Sequence, residues 1–131
     1  MTNEPIGWTV TWDLKDREAF KALAKETAQA VEKAEPETVL YEWCVSEDGA
    51  KVTLLEWFSG LTGAKAHLNG IAVSKYLPKL NGLGNLTAIH VYGNVDQELR
   101  GMLVGLKPAG IHKEFCGFNR LAVPATPGLS R

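Results

Sequence analysis

Cysteine is scarce in this chain: Cys44 and Cys116 are the only two among 131 residues. They form no CxxC pair and share no ligand spacing with the three histidines, which argues against a disulfide framework or a zinc site. A dominant charge is missing too. The formal net charge is -1 and the basic residues are scattered, so no field gathers nucleic acid. No apolar run approaches the roughly 20 residues of a membrane span. The opening MTNEPIGWTV has neither the basic nor the apolar region of a signal peptide. These absences predict a soluble, cytoplasmic protein with no nucleic-acid or membrane partner. Gly82 and Gly84 precede no helix suited to phosphate, and no Ser/His/Asp spacing suggests a hydrolase triad.

Hydrophobic residues make up 45% and charged residues 22%, and the length suits one domain with a real core. Residues 6–12 alternate, with Ile6, Trp8, Val10 and Trp12 on one face, which predicts a strand. Asp13 is placed to cap a helix over 15–34, whose stripe is Phe20, Leu23, Thr27, Val31 and Ala34. Pro36 ends it. Strands at 39–45 and 52–58 flank Asp48-Gly49, a hairpin signal. A short helix runs to Leu68, Asn69-Gly70 breaks it, and Val73, Tyr76, Leu77 and Leu80 mark further helical turns. Asn81-Gly82-Leu83-Gly84 reads as a loop before a strand at 86–92. The order β-α-β-β-α-β is an α+β class, ferredoxin-like unit with an antiparallel sheet. A helix capped by Asp96 and running to Leu106, then a strand at 114–121, extend it. The reading is a single domain over 1–121, with its core at 6–94, an extension at 95–121 and an irregular tail at 122–131.

Helices on one side of this sheet cover one face only, yet the hairpin is apolar on both. Leu40 and Cys44 oppose Tyr41, Trp43 and Val45, and Val52, Leu54 and Phe58 oppose Leu55 and Trp57. The economical cover for the second face is another copy of the chain, which predicts a homodimer. Pairing Tyr41 with Trp57 sets Glu42 opposite Glu56 on the dimer-facing side. There they form either a functional acid pair or polar groups bonded across the dimer to Thr9, Thr11 or His90.

Glu35-Pro36, Tyr41-Glu42-Trp43, Ser46-Glu47-Asp48-Gly49, Leu55-Glu56-Trp57 and Ala66-His67-Leu68 occur here in one order and spacing. Over residues 6–94 the chain resembles the antibiotic biosynthesis monooxygenase-like, dimeric α+β barrel superfamily. The resemblance implies a homodimer with a pocket between sheet and helices in each subunit. It also implies a cofactor-independent monooxygenase acting on a small electron-rich aromatic molecule, a hydroquinone or phenolic polyketide-like compound, with O2. The alternative is a non-catalytic ligand-binding or stress-associated homodimer of the same fold. Trp57 falls where anthrone oxygenases place a pocket tryptophan, and Thr53 stands where they have asparagine. In the haem-degrading branch the helix tryptophan's position is taken here by His67 and the iron ligand's falls at or beside Tyr76, which disfavours that chemistry.

His67 and Tyr76 are the candidate catalytic residues, and Trp57, Thr53, Tyr41 and Trp43 the candidate substrate-binding residues. A neutral His67 imidazole suits proton abstraction from a phenol; its structural reading is a tie to a nearby carbonyl. Tyr76 either directs its hydroxyl into the pocket or packs in the core. Trp8 and Trp12 read as packing. No cofactor or metal is implied.

Overall fold

The computed structural model describes residues 4–121. Strand β1 (Ile6–Leu14) buries Ile6, Trp8, Val10 and Trp12 on one face, as its alternation requires. It runs past Asp13, which pairs with Lys51 on the neighbouring strand. Asp16 therefore caps α1 (Arg17–Ala34) in its place, accepting the Ala19 amide at 3.1 Å. Helix α1 buries Phe20, Ala24, Thr27 and Val31 and ends at Glu35, the residue ahead of Pro36.

Strands β2 (Thr38–Val45) and β3 (Lys51–Phe58) form the hairpin. Its turn is closed by the Ser46 amide on the Lys51 carbonyl at 2.9 Å. Asp48 holds the inside of the turn through the Ala50 amide and the Ser46 hydroxyl. Helix α2 (Leu61–Leu68) follows, then a π-helical turn (Ala72–Tyr76) that leads into α3 (Leu77–Leu83). The loop expected at 81–84 is absent. Helix α3 hands directly to β4 (Gly84–Tyr92), because the Leu83 carbonyl accepts the Lys15 and Asp16 amides and Asn81 accepts the Trp12 indole N–H at 2.8 Å.

The sheet runs β2-β3-β1-β4-β5, and its first four strands are antiparallel neighbours in the ferredoxin-like order. Asp96 caps α4 (Gln97–Leu103), which a 3-10 turn (Val104–Leu106) continues, as the sequence predicts. The fifth strand does not lie at 114–121. Lys107 turns left-handed at φ 52, and the chain reaches the sheet edge at once as β5 (Gly110–His112), parallel to β4 of the same chain. Phe115 and Phe118 are left 94% and 79% exposed. Among the described residues no helix is long and apolar enough to cross a membrane.

The hairpin register is one residue away from the expected pairing. Tyr41 faces Glu56 and Glu42 faces Leu55, with an irregularity between Thr38 and Leu40. A one-residue slip moves every side chain of the slipped strand, here β3, to the other face. Tyr41, Trp43 and Glu56 therefore lie on the helix-covered side, and Trp57 lies on the open side. There the Trp57 indole lies across Gly7, where an added Cβ would come within 2.1 Å of it. It stacks on Tyr92 at 6.0 Å, and Tyr92 stacks on His112 at 4.9 Å.

Leu40, Leu55, Trp57, Ala88 and Tyr92 remain partly or fully accessible on the open face, interspersed with Thr9, Thr11 and Thr53. A second copy is the expected cover, burying more than about 1,200 Å². Sedimentation velocity at micromolar concentration should give a dimer for the native chain and a monomer for Trp57→Glu; a native monomer would contradict this.

Candidate active site

Three segments meet under the helix-covered face of the hairpin. The C-terminus of α1 presents Glu35, and Pro36 fixes the chain's exit there. The middle of β3 presents Glu56 between the apolar residues Leu54 and Phe58. The last turn of α2 presents His67, and α2 comes close enough because Gly63 packs on the β2 entry: a Cβ at that position would stand 2.8 Å from the Glu37 Cβ.

His67 is 3% exposed and lies between two carboxylates. Its Nδ1 is hydrogen-bonded to Glu35 Oε1 at 2.7 Å, and its Nε2 stands 2.8 Å from Glu56 Oε1. The second contact is an ion pair whose N–H is not aligned for a hydrogen bond, so Glu56 Oε1 is buried without a hydrogen-bond partner. Thr38 donates its hydroxyl to the same Glu35 oxygen at 2.8 Å, and Glu35 Oε2 is left buried and unpartnered. Phe58, Tyr41 and Trp8 surround the imidazole at centroid distances of 4.9, 6.1 and 6.2 Å.

This environment sets the proton. Burial alone would lower the His67 pKa, but the charge of Glu56 beside Nε2 and the hydrogen bond and charge of Glu35 overcome it and push it up to about 10. The ring is an imidazolium at neutral pH, not the neutral base that its ordinary value suggests. Burial raises the Glu35 carboxyl, and the hydrogen bond and charge of His67 outweigh this, so its pKa ends below the usual value. Burial, with the charges of Glu56 and Glu35, holds the Tyr41 phenol well above its usual range, so it stays protonated.

His67 and Glu56 line a partly open cavity of about 40 Å³ with Tyr41, Trp43, Trp8 and Leu77. The cavity thus gathers three of the six candidate residues: His67, Tyr41 and Trp43. The other three lie elsewhere. Trp57 is on the open face for the register reason given above. Thr53 shares that face, bonded to the Thr11 hydroxyl at 3.1 Å. Tyr76 has a buried ring but donates its hydroxyl to Glu26 of α1 at 2.9 Å. The extra residue in the π-helical turn rotates the side chains beyond it, so Ala72, Val73 and Leu77 line the cavity and Tyr76 does not.

Glu35 is the residue that sequence reasoning missed, and Glu56, singled out there beside Glu42 on the dimer-facing side, lies under the helices instead. Glu35 was visible only as the residue before a helix-ending proline, and Glu56 as a charge inside an apolar strand. That second signal was usable, because a carboxylate at a core position demands a cationic partner. Among the described residues no group of three or more His, Cys, Asp or Glu side chains is arranged to hold a metal ion.

No family model and no curated protein matches the chain. Among solved structures it is similar to MupZ from Pseudomonas fluorescens, with a TM-score of 0.76 and 27% identity over 94% of this chain and 100% of that one. That span extends beyond the four-stranded core into the C-terminal extension. It is also similar to Rv0793 from Mycobacterium tuberculosis (TM-score 0.61, 20% identity, 72% of this chain and 98% of that one). A Nitrosomonas europaea protein provisionally described as an antibiotic biosynthesis monooxygenase gives a TM-score of 0.62 at 17% identity, over 74% of this chain and 96% of that one. The chain has the antibiotic biosynthesis monooxygenase-like fold.

The His67 pKa lies above its unfolded value, so folding takes up a proton. The stability this contributes is fully present below pH 6.5 and is lost as pH rises towards about 10. Urea unfolding should show stability falling across that window by at most about 1.4 kcal/mol per pH unit. His67→Ala should cost about 3–5 kcal/mol at pH 7, since it leaves two buried carboxylates without their cation, and should abolish the slope. A flat native profile over the same window would contradict the protonated assignment.

Proposed function

We propose that the chain is a cofactor-independent acid–base enzyme acting on a small, largely apolar molecule with an ionisable hydroxyl. One observation carries the reading: a buried histidine in the wall of an apolar cavity, with a carboxylate oxygen within 2.8 Å of each ring nitrogen. Glu56, which lines the cavity and whose Oε1 has no aligned hydrogen-bond donor, is the base. His67 is the acid and the counter-charge, and Glu35 fixes its ring through Nδ1. Proton transfer between a substrate oxygen and this pair needs no further group, and the burial of the site strengthens the stabilisation of the anion formed.

The fold favours an oxygen-consuming version of this chemistry. Glu56 takes a proton from the substrate, and the resulting anion passes one electron to O2. The substrate radical and superoxide combine to a peroxide, which takes a proton from His67 and loses water. The net change is an activated CH2 plus O2 giving C=O plus H2O, with both removed hydrogens and one oxygen atom leaving as that water. The protein supplies orientation, desolvation and the two proton positions.

The protonation state of His67 favours a second version. The oxygen-consuming version calls on the acid only after the oxygen step, whereas a redox-neutral proton shuttle needs acid and base together. In that version Glu56 takes a proton from one substrate oxygen and His67 gives one to another oxygen as its bond to carbon breaks. The substrate rearranges with no change in oxidation state.

A panel of hydroxylated aromatic and polyketide-like compounds, ranked by thermal shift and then assayed for turnover, tests the reading. Glu56→Gln is close to isosteric and should leave a folded protein with turnover reduced at least about 100-fold, the usual worth of a positioned base. Oxygen uptake with a product carrying one added oxygen and two fewer hydrogens identifies the first version. Turnover without oxygen uptake identifies the second. Compounds that bind without turnover in the native chain would make it a binding protein instead.

A further inference from the structure

The cavity beside His67 is too small for the chemistry assigned to it. Its volume of about 40 Å³ is close to the ~30 Å³ share of one water and far below the ~150 Å³ that admits a benzene-sized ring. A groove of about 440 Å³ lies outside, between the C-terminal half of α1 and β2, lined by Gln29, Glu32, Glu35, Thr38, Val39 and Tyr41. Tyr41 is the only described residue that lines both spaces. The Tyr41 side chain stands between a solvent-facing groove and the cavity that Glu56 and His67 line.

The setting of Tyr41 makes that partition movable. Strand β2 is an edge strand that pairs with β3 alone. Its ladder is irregular between Thr38 and Leu40, directly before Tyr41. The ring rests edge-on against Trp43 at 6.0 Å and tilted against His67 at 6.1 Å. An irregular edge strand gives way at less cost than a central one.

The inner wall also carries polar atoms that the protein leaves open. The Trp43 Nε1–H is buried with no partner, although a buried indole N–H ordinarily finds one; that of Trp12 does, on Asn81. Glu56 Oε1 is a buried acceptor with no aligned donor, on a residue 3% exposed. An open donor and an open acceptor on residues lining one cavity are what an incoming ligand satisfies.

We propose that Tyr41 is a door: the groove between α1 and β2 is the entrance to the site, and a molecule that passes Tyr41 is held by its oxygen functions, an acceptor taking the Trp43 N–H and a hydroxyl donating to Glu56. This rests on the reading that the cavity is the reaction site. It adds the route in and a binding residue that takes no part in proton transfer.

The test uses the full chain with 4-hydroxyacetophenone, which carries one carbonyl and one hydroxyl, and follows the indole N–H resonances of the four tryptophans by NMR. In the native chain the probe should bind slowly and shift one indole N–H, the one that disappears in Trp43→Phe. Tyr41→Leu should raise the association rate about tenfold, and Tyr41→Trp should lower it by a similar factor, as removing or reinforcing a closed state does. Unchanged rates in both variants overturn the door. So does failure of a folded Tyr41→Leu to bind, and a shift at another tryptophan overturns the role of Trp43. If Tyr41→Leu does not fold, the Tyr41→Trp rate decides alone. None of these readouts involves turnover, so their failure leaves the acid–base reading standing. Full turnover in Glu56→Gln would remove that reading without altering the door kinetics.

Discussion

A charge can leave water only with compensation, and at the centre of this protein one cation is compensated twice. His67 is sealed among Trp8, Phe58 and Tyr41, surroundings in which an imidazole on its own would shed its proton. It keeps the proton because carboxylates stand within 2.8 Å of both ring nitrogens. The same attraction joins three segments far apart in the chain: the end of α1, the middle of β3 and the last turn of α2. Breaking such a group by removing one member costs more than its net worth when intact. Packing at that corner is therefore tied to the protonation state of a single ring.

The register of one hairpin decides whether this arrangement exists. With Tyr41 opposite Glu56, β3 sends Val52, Leu54, Glu56 and Phe58 under the helices and Trp57 to the open face. With the pairing shifted by one residue, Glu56 would stand opposite Glu42 in the exposed sheet and His67 would lose one of its two counter-charges. The Ser46–Lys51 closure, organised by Asp48, sets that register. A polar turn at the far end of the hairpin thus determines which carboxylate reaches the core.

Much of the fold was legible in the sequence. Periods of 2 and 3.6 marked four strands and the long first helix, and the order of elements gave the ferredoxin-like unit. The hidden parts depend on geometry that periodicity does not carry. The extra length of β1 moved the cap from Asp13 to Asp16, and the left-handed turn at Lys107 brought β5 to the edge sooner than apolar content suggested. Of the candidate site, His67, Tyr41 and Trp43 were legible as polar or aromatic residues on a helix or strand facing the core. Trp57 and Thr53 lie on the open face, as the register sets, and Tyr76 follows a π-helical turn that a 3.6-residue period does not reveal. Glu35 and Glu56 were in plain sight, but only the fold brings them to one ring.

The protonation of His67 is open to direct observation. Nitrogen-15 NMR of the histidine ring signals, assigned by comparison with His67→Ala, reports the state of each ring nitrogen across a pH series. An imidazolium between Glu35 and Glu56 gives two protonated nitrogens at pH 7 and a titration near pH 10. A neutral tautomer at pH 7, titrating near the ordinary value of 6.5, would contradict the charged pair on which the proposed acid–base chemistry depends.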